Sequence, residues 1–277
     1  MYALWVLIPL FLLRDIVSIW YKIPGFVMMI VVGVYLLIGF YLWMTTKTTT
    51  LVLEDTWLSR DYTFVFVSDF HVQALRHELY VQKIVNKIQG LNPDFVLIGW
   101  DLLDRVKPEY IEAFLPLNQL DMPVYATLGN HEKIGKMSLD ISLFEKTNIK
   151  FLRNQKVFFE DIQLVGIDDK SFWSGKNLGD VLDESDIQDA LYTILISHQP
   201  YKLSLMENYP IDLQLAGHTH RGQFVPLSWI IGLFNDYAYG RYDENGKIAF
   251  VSQWVGTWGA PIRIGTQSEL VLVELKK

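Results

Sequence analysis

The 277-residue chain contains no cysteine, which excludes disulfides, thiolate nucleophiles and sulfur-rich zinc sites. Any metal site must therefore be assembled from His, Asp, Glu and Asn. That donor set suits manganese, magnesium, iron or zinc. Positive charge is also scarce: 24 Lys and Arg stand against 31 Asp and Glu, a formal charge of -7 that argues against extended nucleic-acid binding. No internal repeat occurs, and low complexity is confined to the apolar N-terminus and a small threonine cluster. With 51% hydrophobic and 20% charged residues the chain carries enough apolar surface for a substantial core, which excludes a disordered protein.

What is present begins with a long apolar run. Ile23 to Met44 has no charged residue, and 22 residues at 1.5 Å each reach about 33 Å, enough to cross a hydrocarbon core. Trp20, Tyr21 and Lys22 precede it and Trp43 and Lys47 close it, as interfacial aromatic and basic residues do. Residues 1–44 are thus expected to be a membrane anchor with a span at about 23–44. Met1 to Leu13 is apolar but short, and stays open among a second span, a re-entrant piece and part of a longer membrane region. No basic n-region precedes the apolar run and no small-x-small cleavage site follows it, so a cleaved signal peptide is disfavoured. Arg14 and Lys22 on one side balance Lys47 and Arg60 on the other, and orientation is undetermined.

Residues 45–60 read as a linker, Thr-rich over Thr45 to Thr50, before one α/β domain at 61–277. Buried strands are predicted at Thr63–Ser68, Asp94–Gly99, Val124–Leu128, Ile194–Ser197 and Leu213–Ala216. Val81, Ile84, Val85 and Ile88 follow helical spacing between the first two, and Tyr110–Leu120 is a predicted helix between the next two. Shorter strands at Ile149–Leu152, Val157–Phe159, Gln163–Ile167, Lys247–Gln253 and Glu269–Glu274 predict a second sheet packed on the first.

The chemistry-bearing residues stand at the C-terminal ends of the five buried strands: Asp69-Phe70-His71, Gly99-Trp100-Asp101, Gly129-Asn130-His131-Glu132, His198 and Gly217-His218-Thr219-His220. Open α/β sheets bind ligands at that rim. An Asp and a His two residues apart can both turn toward one ion, as can a His-x-His pair. A lone His or Asp after a strand is ordinarily a turn residue or a cap. Five such clusters in one structural position, holding five of the six histidines, are a different matter. His77, in a polar helical stretch, reads as solvated.

In order and spacing these clusters resemble the calcineurin-like metallophosphoesterases, with their D-x-H, G-D, G-N-H-E, H and G-H-x-H motifs, over residues 63–223. Gly166-Ile167-Asp168-Asp169, the run from Gly217 to Gln223 and the apolar segment look most like a bacterial membrane-linked branch that includes UDP-diacylglucosamine pyrophosphatases, which would place the protein in the bacterial inner membrane. The resemblance implies a four-layer sandwich of two mixed sheets flanked by helices. It implies one metal held by Asp69, His71 and His220, a second by Asn130, His198 and His218, and Asp101 bridging them. Two divalent ions are expected, manganese first, with iron, zinc or magnesium as alternatives. His131, oriented by Asp104, would protonate the leaving oxygen while a metal-bridging hydroxide attacks phosphorus.

The implied activity is hydrolysis of a phosphoester or pyrophosphate bond in a lipid-linked or nucleotide-linked substrate near the membrane. A phosphomonoesterase or phosphoprotein phosphatase on the same fold is the alternative, and an inactive metal-binding membrane scaffold is a third reading. Trp100, where the family has glycine, is the hint for the last. Arg221 is a candidate phosphate contact. Trp229, Phe234, Trp254 and Trp258 are read mainly as core, with an apolar substrate wall as the other role.

Overall fold

The computed structural model describes residues 11, 14–17, 24–55, 57–73, 78–134, 137–189, 192–225 and 227–277. Met1 to Leu13 apart from Phe11, the flanking Trp20, Tyr21 and Lys22, and His77 lie outside the described residues.

Three apolar cores separate four layers. The first sheet runs β1 (Lys47–Glu54), β14 (Glu269–Lys276), β2 (Tyr62–Ser68), β3 (Phe95–Gly99), β4 (Val124–Ala126), β7 (Ile149–Phe151). The second runs β12 (Gly240–Glu244), β13 (Lys247–Val251), β11 (Leu213–Ala216), β10 (Tyr192–Ser197), β9 (Ile162–Ile167), β8 (Gln155–Phe159). A separate antiparallel pair, β5 (Lys133–Ile134) and β6 (Met137–Ser138), follows the G-N-H-E motif. Both sheets are mixed: β2, β3, β4 and β7 are parallel while β14 runs against β2, and β9, β10, β11 and β13 are parallel while β8 and β12 are not.

Strand alternation explains the layering, since successive side chains point to opposite faces. Phe64, Phe66, Phe95 and Leu97 face Leu164, Ile194, Ile196 and Leu215 across the inter-sheet core. Val65, Val67, Val96 and Ile98 project the other way, onto Val81, Ile84, Val85 and Ile88 of α2 (Glu78–Leu91), all four fully buried. Burying each contributes about 2 kcal/mol. Val165 and Leu195 pack outward on Val181 and Leu182 of α3 (Leu178–Glu184) and on Leu203 and Met206.

The predicted elements differ in three ways. The strands at Ile149–Phe151 and Glu269–Lys276, expected in the second sheet, join the first, β7 pairing with β4 and β14 lying between β1 and β2. Tyr110–Leu120 is a 3-10 helix, Pro108–Gln119, because Pro116 in its middle supplies no N–H and its ring opposes an α turn. Residues 47–54, read as part of a linker, form β1, paired in parallel along its whole length with β14. Leu51 and Leu53 point inward and Val52 and Glu54 outward, an alternation hidden behind the threonines.

The apolar run is helix α1 (Gly25–Met44), with most of its side chains exposed. Its last turns are fastened to the domain. Lys83 and Lys87 of α2 donate to the carbonyls of Met44 and Thr46, supplying cations that the helix C-terminus lacks in its own sequence.

Candidate metal centre

The parallel strands β2, β3 and β4 of one sheet and β10 and β11 of the other end at a common seam, and each releases its motif there. Asp69, His71, Asp101, His218 and His220 all leave their strands with φ between 46° and 65°. Left-handed backbone costs a non-glycine residue about 1 kcal/mol or more, and five such residues at one seam mark a site whose side chains are aimed by the fold. Gly217 lets the turns close: a Cβ there would lie 2.5 Å from Oδ2 of Asp69. One on Gly129 would lie 2.2 Å from Oδ1 of Asp101.

The side chains converge around Asp101. Its Oδ2 is 3.7 Å from Nε2 of His71 and 3.6 Å from Nε2 of His198. On one side His71 stacks near His220, ring centres 5.3 Å apart, and His71, Asp69, Asp101 and His198 are buried. On the other, Nε2 of His198 is 2.6 Å from Oδ1 of Asn130 and 3.0 Å from Nδ1 of His218. Nδ1 of His198 is 4.0 Å from Oδ1 of Asp69. Ligand atoms of Asp69, Asp101 and His198 lie within 4.8 Å of one another, as do those of His71, Asp101 and His131, so Asp101 is common to two groups.

The donor chemistry of this cluster fits cations. Burial, and then the Asp101 charge, hold the Asp69 carboxyl well above its ordinary range, and burial does the same to Asp101. Burial, then Asp101, pushes Glu132 up to about 8. His198 and His220 are held well below theirs by burial, which keeps the imidazoles in the neutral form that ligates metals. Neither carboxylate oxygen of Asp69 has a hydrogen-bond partner among the described residues, nor has Nδ1 of His198 or of His220. Buried polar atoms left this way carry a desolvation cost of about 1–3 kcal/mol each, which a bound cation would offset.

His131 is half-buried beside His71, ring centres 4.7 Å apart, and its backbone N–H donates to Oδ1 of Asp101 at 3.0 Å. Its Nδ1 is 2.8 Å from Asp104, but from the main-chain carbonyl. The Asp104 carboxylate turns instead to Nδ1 of His71, at 3.6 Å. The implied pairing of Asp104 with His131 thus runs through the backbone. Arg153 binds Asp168 at 2.7 Å, and Asp169 accepts from Gln199 at 2.8 Å.

Two supporting residues were given no role by the sequence reading. Glu132 is buried and accepts from the N–H groups of Asp101 (2.9 Å), Leu103 (3.3 Å) and Gly129 (2.7 Å), so it ties the second motif to the third. Its signal was the last letter of G-N-H-E. Arg263 is fully buried behind the site and donates to the carbonyls of Trp254 and Gly256; no motif announces it. Trp100 is fully buried in the inter-sheet core, edge-on to Phe66, with its ring 5.5 Å from that of His198.

The family model for calcineurin-like phosphoesterases matches residues 62–222, more than half of the chain. The chain belongs to the calcineurin-like phosphoesterase family. It is a metallophosphoesterase, a hydrolase of phosphate esters. This phosphoesterase is 30% identical over 258 residues to an uncharacterized metallophosphoesterase of Helicobacter pylori, covering 88% of this chain and 69% of the relative. It is 31% identical over 232 residues to a transmembrane protein with metallophosphoesterase domain from Danio rerio, covering 77% of this chain and 53% of that longer protein. A solved dimetal phosphatase from Danio rerio aligns with TM-score 0.42 and 10% identity over 70% of this chain and 87% of that one.

Proposed function

We propose that the phosphoesterase holds two divalent cations, one on Asp69, His71 and His220, the other on Asn130, His198 and His218, with Asp101 shared, and hydrolyses a phosphoester or pyrophosphate bond. The observation that carries this is the position of Asp101 Oδ2, nearly equidistant from Nε2 of His71 and of His198. Cations bound there would acidify a water and neutralise charge on the phosphoryl group.

His131 serves as the proton donor to the leaving oxygen. A carbonyl only accepts, so the Asp104 contact keeps one proton on Nδ1; the proton given to the leaving oxygen is the second one, on Nε2 of the imidazolium, and its transfer leaves the neutral ring with Nδ1–H still bonded to Asp104. The N–H to Asp101 at 3.0 Å holds the His131 backbone to the same carboxylate that would join the metals, so acid and metals move as a unit. Glu132 keeps Asp101 in place through its bond to the Asp101 N–H. An amphiphilic substrate at a membrane is supported by the uncharged, outward-facing α1 and by relatives named as transmembrane proteins.

The test uses the full-length chain in detergent micelles with bis-p-nitrophenyl phosphate, with and without manganese, beside Asp101→Ala. Manganese-dependent turnover that the variant loses is the expected result. A folded, metal-loaded protein inactive on that ester, on p-nitrophenyl phosphate and on a nucleotide pyrophosphate would sink the hydrolase reading.

A further inference from the structure

Beyond the metal centre, the chain leaves an apolar surface open. Trp229 is 73% exposed, Leu233 80%, Phe234 79% and Trp258 56%. Of the four aromatics read mainly as core, only Trp254 is in the core. These residues lie on α4 (Leu227–Ile230), the 3-10 turn that follows it and the loop at 258. Gln223 welds the two pieces together: its side chain accepts from the Trp258 N–H at 2.9 Å and donates to the carbonyls of Trp258, Ala260 and Ile262. Gln223 is three residues from His220, so the chain enters this apolar surface directly after the last residue of the metal centre.

The register of α1 says what covers it. The Tyr35 hydroxyl donates to the carbonyl of Val225 at 3.0 Å, and the Arg263 N–H donates to the carbonyl of Gly39 at 2.9 Å. A Cβ on Gly39 would sit 3.1 Å from Ile262 and Ile264, so the contact is close. The helix therefore presents one face to the 223–225 and 262–264 segments, while Leu36, Leu37, Phe40, Tyr41 and Met44 on the other are exposed. Lys83 and Lys87 mark the polar level at the end of α1. Tyr35 is nine residues back, about 13 Å deeper along the axis. Where lipid covers Leu37, it also reaches the domain segment that touches the opposite face at the same depth. Val225 stands two residues before α4, which carries Trp229, and Ile262 four residues after Trp258, so both apolar pieces are tethered to the segments that touch α1.

We infer that Leu227–Phe234 with Trp258 is a second membrane-seated element, a helical wedge that lies in the bilayer beside α1 and holds the mouth of the metal centre at headgroup level. Within it the Ser228 N–H donates to the Phe224 carbonyl and the Phe234 N–H to the Ile231 carbonyl, which also accepts from the Asn235 side chain. Trp and Phe are suited to the interfacial zone. The paired charges Lys202 and Asp236, 3.2 Å apart, lie where the chain leaves the wedge. Arg221 stacks over Tyr239, whose hydroxyl accepts from Lys47 at 3.2 Å; Lys47 is itself paired with Glu269, and Arg221 is the cation placed for a phosphate at the surface. The substrate class is then a phosphate or pyrophosphate borne by a lipid in the same leaflet. This rests on the hydrolase reading above and on α1 as a span.

A cysteine-free chain permits a direct test. Single variants Leu233→Cys, Leu37→Cys on the open face of α1 and Trp57→Cys beyond the far end of β1 are spin-labelled in the full-length protein and reconstituted into phosphatidylcholine vesicles. Collision with oxygen, which partitions into lipid, is compared with collision with a water-soluble nickel chelate. The label at 233 is expected to match that at 37, with an oxygen-to-nickel ratio at least threefold above that at 57. A label at 258 (Trp258→Cys) should share this shielding and lose it when Leu233→Glu and Phe234→Glu are added. A label at 233 as open to nickel as that at 57 would overturn the inference, and dipolar broadening between labels on two copies would overturn it in favour of self-association. Neither readout depends on turnover, so an aqueous wedge on an active enzyme sinks this inference alone, whereas an inactive enzyme with a buried wedge sinks only the hydrolase reading.

Discussion

His131 Nδ1 lies 2.8 Å from the main-chain carbonyl of Asp104, while the carboxylate of the same aspartate faces Nδ1 of His71 at 3.6 Å. One residue thus touches the proposed acid with its backbone and a proposed ligand with its side chain. The two contacts respond differently to substitution.

Asp104→Ala leaves the carbonyl in place and removes the carboxylate beside His71. Loss of such a partner to a ligating His typically weakens metal binding about 10–100-fold. The expected outcome is a rightward shift of that size in the manganese activation curve, with kcat at saturating manganese little changed. His131→Ala should do the reverse, lowering kcat about 10²- to 10⁴-fold with metal content intact. Metal analysis beside steady-state kinetics checks both; equal kcat losses in the two variants would refute the division.

Gly217→Ala places a methyl 2.5 Å from Oδ2 of Asp69 and 3.0 Å from Nε1 of Trp254. Neither neighbour is the free end of a flexible chain, so the carboxylate must turn. Manganese affinity measured by titration should fall at least tenfold while the far-ultraviolet circular dichroism stays the same.

Trp100→Gly would empty the inter-sheet core behind Phe66 and Leu97. Truncating a buried Trp costs about 3–5 kcal/mol. A markedly lower melting temperature, rather than a gain in turnover, is expected. An unchanged melting temperature would mean the indole fills no essential volume.

Glu269 is buried at the start of β14, 3.1 Å from Nζ of Lys47, and accepts from the Thr49 hydroxyl and the Gln253 N–H. Burial alone would raise its pKa, but those hydrogen bonds and the Lys47 charge outweigh it and hold the carboxyl below its ordinary 4.5. A depressed folded pKa stabilises above about 4.5 and is lost as pH falls through the lower folded value. Lys47 is raised from 10.5, because Glu269 and Tyr239 outweigh burial, so its share is present below about 10.5 and lost as pH rises beyond the folded value. Denaturant melts should show a plateau between these limits that Glu269→Gln lowers. With Lys47 one-third exposed, the loss is about 2 kcal/mol. A Glu269→Gln protein with wild-type stability at pH 7 would remove the pair from the account.

The sequence by itself determined the parallel strands that end in metal-compatible residues, since buried β-branched runs and the polar letters after them are local signals. It also determined the stripe of α2 and the apolar length of α1, both matters of spacing and composition. It misread β1 because threonines mask alternation at an edge strand, and the 3-10 helix because Pro116 decides its pitch.

Tertiary structure alone decided the rest. The seam that joins two sheets sets Asp101 between His71 and His198, residues 30 and 97 positions away. Which part of Asp104 meets His131, what Trp100 packs against, how Lys83 and Lys87 cap a helix with no cations of its own, and which side of α1 the wedge shares are relations between distant segments. Local propensity carries no information about them, because each exists only once β pairing and the three cores have fixed the positions of segments far apart in the chain.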